Sequence, residues 1–166
     1  MQKMIGSVMI IVACTVMGFE KGHELQVHLR ELEELKRIFT LIQSELQYTK
    51  AAFAEVFLKI SRKTDDKYKK WLRELASNLE KREKGTFQEV WEYEIAENFK
   101  NSQLTKEELE DLRQVGKNLG YLETLDLYLE QLDLSIQRTR EEIKSKKKLY
   151  QSMGIMAGIF LVIVLL

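Results

Sequence analysis

The segment LQVHLRELEELKRIFTLIQSEL (residues 25–46) decides the fold class, because its apolar side chains recur at alternating steps of three and four residues. This spacing places them along one stripe of an α-helix. The stripe consists of Leu25, Leu29, Leu32, Leu35, Phe39, Ile42 and Leu46. We therefore predict a long amphipathic helix whose apolar stripe packs against other helices.

Five further segments downstream repeat this helical periodicity. None of them alternates apolar and polar residues with the period of two that predicts a β-strand. Two segments begin with a capping box, Thr86 with Glu89 and Thr105 with Glu108, which satisfies the first free N–H groups of a helix. Gly85 supplies a helix stop ahead of the first box. No proline interrupts the chain. The predicted fold class is all-α, an antiparallel bundle of about six helices.

Two uncharged apolar runs lie at the ends of the chain, at residues 4–19 and 149–166. As helices they would reach ~24 Å and ~27 Å at about 1.5 Å per residue. A hydrocarbon core is about 30 Å thick. Past Ser152 the second run lacks the polar face that a buried core helix normally keeps. We therefore predict a transmembrane helix at 4–19, a cytoplasmic helical-bundle domain at 21–148 and a transmembrane helix at 149–166.

The orientation follows from a basic cluster that precedes the second run, Lys144, Lys146, Lys147 and Lys148. Basic residues next to a span stay on the cytoplasmic side of the membrane. The domain between the two spans is therefore expected in the cytoplasm, with both termini on the other side.

The first apolar run has two other interpretations. The sequence IVAC, which ends at Cys14, resembles a lipobox, and Cys14 is the only cysteine of the chain. Processing there would give a lipid-anchored extracytoplasmic adaptor. The third interpretation is a cleaved signal peptide, although no small-x-small cleavage site stands clear of the apolar run.

Composition and motifs exclude several classes of function. The 26 basic and 26 acidic residues balance, so the chain lacks the basic field that nucleic-acid binding requires. One cysteine excludes a disulfide framework, and His23 and His28 are too far apart around a helix to chelate one ion. No phosphate-binding loop or catalytic motif occurs. We therefore expect neither an enzyme nor a bound cofactor or metal.

Two sets of residues are candidates for binding. An acidic docking surface for a basic partner would use Glu92, Glu94, Glu97, Glu108 and Asp111. The simpler interpretation of these carboxylates is an ordinary solvated face. In the second apolar run, Gly154 and Gly158 have the GxxxG spacing that lets another membrane helix approach closely.

The chain resembles the stage III sporulation protein AB family over nearly its whole length. The resemblance is strongest in KKKLYQSMGIMAGIFLVIVLL (residues 146–166), and it extends to residues 29–57 and to VGKNLG (residues 115–120). It implies a two-span protein of the outer forespore membrane, with its helical domain in the mother-cell cytoplasm.

The same resemblance implies a function and partners. Family members belong to a channel-like complex that resembles, in part, the platform proteins of type II secretion. The implied partners are a secretion-type ATPase of the same operon and other stage III sporulation membrane components. Further copies of the chain, in a homo-oligomer, are a third candidate partner. The function expected is a non-enzymatic membrane platform component that docks the ATPase.

Overall fold

The computed structural model describes the backbone of residues 2–49, 51–81 and 85–165, and the side chains of residues 23–49, 51–81 and 85–146. Every regular element in these ranges is an α-helix, and there are six. They are α1 (Gln2–Tyr48), α2 (Phe53–Ser61), α3 (Asp66–Lys81), α4 (Phe87–Asn98), α5 (Lys106–Lys117) and α6 (Leu122–Leu165). The all-α class predicted from the sequence is confirmed.

The helix starts follow the predicted chemistry. In both capping boxes the threonine hydroxyl accepts the N–H of the third helical residue, and the glutamate there accepts the N–H of the threonine. Gly85 has a φ of 87°, which a residue without a Cβ atom adopts readily, and it leads directly into the first box. Local sequence therefore sets the first residues of α4 and α5.

The two apolar ends of the chain continue α1 and α6 without a break in the helical backbone. The predicted spans at 4–19 and 149–166, with Cys14, Gly154 and Gly158, lie outside the residues whose side chains are described. Among the described residues, no helix combines the length and the apolar character needed to cross a membrane.

The chain divides into two compact units. One unit is Arg30–Ile136, and the other combines Met1–Leu29 with Gln137–Leu166. All of the packing described below lies within the unit Arg30–Ile136.

Helix α1 supplies the centre of this unit. Four residues of the predicted stripe are buried, each with no more than 1 % of its surface exposed: Leu32, Leu35, Phe39 and Ile42. Ile38, which lies beside the stripe, is equally buried. The buried arc of α1 is therefore wider than the stripe, because other helices pack on more than one side of it.

Polar contacts at the margins of this arc set the direction of the neighbouring helices. Lys36 Nζ donates to Asp133 at 2.5 Å, and Gln43, two turns further along α1, donates to Asp126, two turns earlier in α6. Helices α1 and α6 therefore run antiparallel. On another side, Lys59 of α2 forms an ion pair with Glu45 at 2.7 Å.

The aromatic core is centred on Trp91 of α4, which is fully buried. Its ring lies 6.3 Å from that of Phe39, 6.2 Å from that of Phe57 and 5.5 Å from that of Trp71, measured between centroids. These rings belong to α1, α2 and α3. The indole N–H donates to the carbonyl of Leu112 in α5 at 3.0 Å. Trp91 therefore connects five helices, with its one polar atom satisfied.

Gly116 makes room for this tryptophan. A Cβ atom at Gly116 would lie 2.1 Å from Cδ1 of Trp91, far inside the contact distance of two carbon atoms. Gly120, four residues later, is different, because a Cβ atom there would meet only Cζ of Phe53, at 3.8 Å. Of the two glycines of VGKNLG, Gly116 is therefore required for close packing, whereas Gly120 has room for a side-chain carbon.

We predict that Gly116→Ala lowers the free energy of unfolding by about 1–3 kcal/mol, because α5 and Trp91 must move apart. Gly120→Ala should change it by less than about 0.5 kcal/mol. Urea unfolding of the full chain in detergent micelles, followed by tryptophan fluorescence, measures both, since Trp71 and Trp91 lie in Arg30–Ile136. Equal unfolding midpoints for the two variants would show that Gly116 has no special packing role.

Candidate docking surface between helices α3 and α4

Two of the predicted acidic residues lie exposed on α4. Glu92 accepts a hydrogen bond from Gln88 of the same helix at 3.0 Å. Glu97 forms an ion pair with Lys100 at 2.7 Å, also within one helical turn. Exposed pairs of this kind contribute little to stability, so these carboxylates stay accessible to a partner.

Glu94 corrects the sequence prediction, which placed it on the solvent side. It is 2 % exposed, in the buried stripe of α4 that also contains Val90, Trp91 and Ile95. The prediction was wrong because Glu94 stands one turn after Val90, where the helical period points it inward. A carboxylate in this position requires hydrogen-bond partners to offset the loss of water.

Asparagine side chains supply those partners. Asn78 of α3 donates to Oε1 of Glu94 at 2.5 Å, and Asn98 of α4 donates to Oε2 at 3.1 Å. The Asn98 amide also reaches Glu74 of α3, at 3.2 Å. These bonds join α3 and α4 by a polar network, in addition to the buried contact between the rings of Trp71 and Trp91.

The other two predicted residues lie on α5. The Glu108 carboxylate accepts the backbone N–H of Thr105 at 2.8 Å as part of the capping box. Asp111 is half-buried, and burial raises the pKa of its carboxyl, with the nearby charges of Glu107, Glu108 and Glu110 raising this pKa further. Glu108 thus has a structural task, and the raised pKa of Asp111 makes its carboxyl harder to ionise than an ordinary aspartate.

A cleft of about 270 Å³ opens over the polar network on the surface of the bundle. We name it the α3–α4 cleft, and it is lined by Lys70, Glu74, Asn78, Tyr93, Glu94, Glu97 and Asn98. It brings together two of the five predicted acidic residues, Glu94 and Glu97. Glu92, Glu108 and Asp111 are not part of its lining.

Sequence reasoning missed the contribution of α3. Lys70, Glu74 and Asn78 follow one another at steps of four residues, which forms a polar stripe on one side of the helix. That signal was visible in the sequence, but nothing in it indicated that α4 would lie alongside. Tyr93 was also missed, and its side chain is 48 % exposed beside Glu94.

The charge of the α3–α4 cleft favours a cationic ligand group. Its lining holds three carboxylates and one lysine, and Lys70 lies 3.7 Å from Glu74. Carboxylate pairs suit the planar fork of an arginine, and an exposed tyrosine beside them is typical of binding hot spots. Among the residues whose side chains are described, no group of histidine, cysteine or acidic side chains has the arrangement of a metal site.

Fold and surface together define the class of protein. It is an all-α helical-bundle protein whose described surface carries an acidic cleft between two helices. A family model described as stage III sporulation protein AB matches residues 3–166. The chain belongs to the stage III sporulation protein AB family, as the sequence resemblance predicted.

Individual relatives agree with this assignment. The chain is 23 % identical over 172 residues to stage III sporulation protein AB of Bacillus subtilis (strain 168), and the match covers 100 % of both chains. A solved structure of a stage III sporulation protein AB (SpoIIIAB) matches with a TM-score of 0.65 at 18 % identity, over 71 % of this chain and 97 % of the other. The structural likeness supports the all-helical fold.

The family supports a role in sporulation. The names of these relatives denote sporulation proteins, and none denotes an enzyme.

We predict that Glu94→Ala lowers the free energy of unfolding by about 1–3 kcal/mol, because the half-buried amides of Asn78 and Asn98 each lose a hydrogen bond to the Glu94 carboxylate. Glu92→Ala is the matched control on the exposed side of the same helix, with an expected change below about 0.5 kcal/mol. Tryptophan fluorescence during urea unfolding of the full chain reports both values. A loss at Glu94 no larger than that at Glu92 would mean that the polar network does not hold α3 to α4.

Proposed function

We propose that the chain is a non-enzymatic platform component of the sporulation channel complex between mother cell and forespore. In this proposal the apolar runs at 4–19 and 149–166 span the outer forespore membrane, and the unit Arg30–Ile136 lies in the mother-cell cytoplasm. The uncharged ends and the basic cluster before the second run support the membrane placement. Membership of the sporulation family supports the setting.

The partner proposed for the α3–α4 cleft is a cytoplasmic secretion-type ATPase of the same operon. The observation that carries this proposal is the cleft itself, in which the carboxylates of Glu74, Glu94 and Glu97 lie beside the half-exposed ring of Tyr93. A basic side chain of the partner would find its countercharge in the cleft and an aromatic surface at its edge. Other stage III sporulation membrane components, or further copies of the chain, would bind the spans, where Gly154 and Gly158 permit close helix packing.

Charge reversal tests this docking surface. We expect Glu97→Lys to weaken ATPase binding by about tenfold or more, since a cation in the α3–α4 cleft repels the basic partner. Binding is measured with the full-length protein in nanodiscs and the purified ATPase, at low and high salt, because screening should weaken the wild-type interaction.

Glu110→Lys on α5 is the matched control. Both glutamates are about half exposed, and each pairs with a cation three residues later in the sequence, Glu97 with Lys100 and Glu110 with Arg113. Glu110 does not line the cleft. If the two reversals weaken binding equally, net charge and not the cleft explains the effect, and the docking proposal is wrong.

The sequence IVAC, which ends at Cys14 and resembles a lipobox, favours a second candidate, a lipid-anchored extracytoplasmic adaptor. The two functions place the bundle on opposite sides of the membrane. In a Cys14→Ser background, single cysteines introduced at the exposed positions Ser44 and Gln114 report its side through an impermeant maleimide. The platform proposal predicts labelling only after permeabilisation, whereas labelling of intact cells would favour the adaptor.

A further inference from the structure

Glu31 of α1 is a buried carboxylate that binds two other parts of the bundle at once. Its side chain is 8 % exposed overall. Oε1 accepts Nζ of Lys67 in α3 at 2.5 Å, and Oε2 accepts the backbone N–H of Gln103 at 3.0 Å. Gln103 lies in the connection between α4 and α5. One side chain therefore joins the central helix to α3 and to the connection between α4 and α5.

Lys67 extends this group of contacts. Its ammonium lies 5.5 Å from the ring centre of Tyr68 and 5.7 Å from that of Phe99, the residue that follows α4. The Tyr68 hydroxyl reaches the carbonyl of Glu31 at 3.5 Å. Burial above all, together with nearby carboxylates, raises the pKa of Tyr68, so its hydroxyl stays neutral. We name Glu31, Lys67, Tyr68, Phe99 and Gln103 the Glu31 cluster.

The Glu31 cluster is adjacent to the α3–α4 cleft. Lys67 precedes Lys70 of the cleft by one helical turn, and Phe99 directly follows Asn98 of the cleft. A movement of α3 against α4 therefore acts on the ammonium of Lys67 and on the rings of Tyr68 and Phe99. Packed helices transmit such shifts because their interiors are dense and resist compression.

We propose that Glu31 is the coupling residue through which a displacement at the α3–α4 cleft reaches α1. The inference rests on the proposed function only in taking this cleft as the place where a partner acts. Glu31 suits the task because its two carboxylate oxygens hold different elements, Lys67 of α3 and the connection after α4. A partner that parts α3 from α4 changes both contacts, and the change reaches the part of α1 that lies in the unit Arg30–Ile136.

Glu34 is a second carboxylate of α1, and its hydrogen bonds reach neither α3 nor the connection after α4. It lies one turn after Glu31, and both of its oxygens bind Arg37 of the same helix, at 2.5 and 2.8 Å. Removing the charge of Glu34 acts on Arg37, which donates to the carbonyl of Lys63 and not to Gln103 or α4, whereas removing the charge of Glu31 acts directly on Lys67 and Gln103. Glu34→Gln is therefore the matched control for Glu31→Gln.

The test is a double-mutant cycle on the full chain in detergent micelles, read out as hydrogen exchange of the Gln103 amide. Glu31→Gln should speed this exchange about tenfold, because a charged acceptor and the ion pair with Lys67 are both lost. Glu34→Gln should change it less than twofold. Asn78→Ala disturbs the α3–α4 cleft from the α3 side, and it should speed exchange about fivefold in the wild type but less than twofold in the Glu31→Gln background.

Two results would overturn the inference. One is an Asn78→Ala effect of equal size in both backgrounds, because the disturbance would then bypass Glu31. The other is a Gln103 amide that exchanges equally fast with Glu31 and with glutamine at that position.

Should Glu31→Gln fail to fold, as judged by tryptophan fluorescence, Lys67→Gln removes the same ion pair and takes its place in the cycle.

Failure of this inference can be told apart from failure of the docking proposal. Exchange at Gln103 is measured without the ATPase, so a non-additive cycle supports the Glu31 coupling even if Glu97→Lys leaves ATPase binding intact. Conversely, loss of ATPase binding in Glu97→Lys with an additive cycle supports the cleft and removes Glu31 from the account.

Discussion

The burial of α1 inside the unit Arg30–Ile136 is the constraint on which the other contacts depend. Leu32, Leu35, Ile38, Phe39 and Ile42 lose almost all of their exposed surface, and burying each such side chain contributes about 1.5–3 kcal/mol relative to exposure. A helix buried over so wide an arc needs neighbours on several sides. The short helices α2 to α4 and α6 supply them, and Trp91 fills the space where five helices meet.

Buried carboxylates then determine how the helices are joined at the edge of this core. Glu31 and Glu94 are both under 9 % exposed, and each is satisfied by donors from a different helix or connection. A buried ion or amide network is weak evidence for added stability, since apolar side chains could pack as well. Its effect is directional, because each donor fits only one alignment of α3 with α4 or with α1. The contacts of Glu31 and those of Glu94 both involve α3 and the end of α4 or the connection after it. This is why we propose that a displacement at the α3–α4 cleft reaches the central helix through Glu31.

Much of the fold was predictable from local signals. The three-four spacing located a segment of each of the six helices, and the capping boxes at Thr86 and Thr105 set the first residues of two of them. The candidate docking surface was predictable only in part. Glu97 was assigned correctly to the surface. Glu94 was wrongly placed there because it is acidic, although its position one turn after Val90 points it toward the core.

What the sequence did not reveal depends on contacts between distant residues. The pairing of Glu31 with Gln103 joins residues 72 positions apart, and the spacing within one helix carries no information on it. The same holds for Gly116. Its place in the sequence does not indicate that the Trp91 indole packs directly against it. Periodicity identifies the face that is buried, whereas the residues it meets follow from the packing of whole helices.

We propose that the α3–α4 cleft meets the cytoplasmic ATPase. A photo-crosslinking amino acid at Tyr93, which lines the cleft, tests it in sporulating cells, with the same probe at Leu127 as the control. Leu127 is 64 % exposed on α6 and lies outside the cleft. We predict a cross-link to the ATPase from position 93 and none from position 127. No cross-link from position 93, or equal cross-linking from both positions, would contradict the claim.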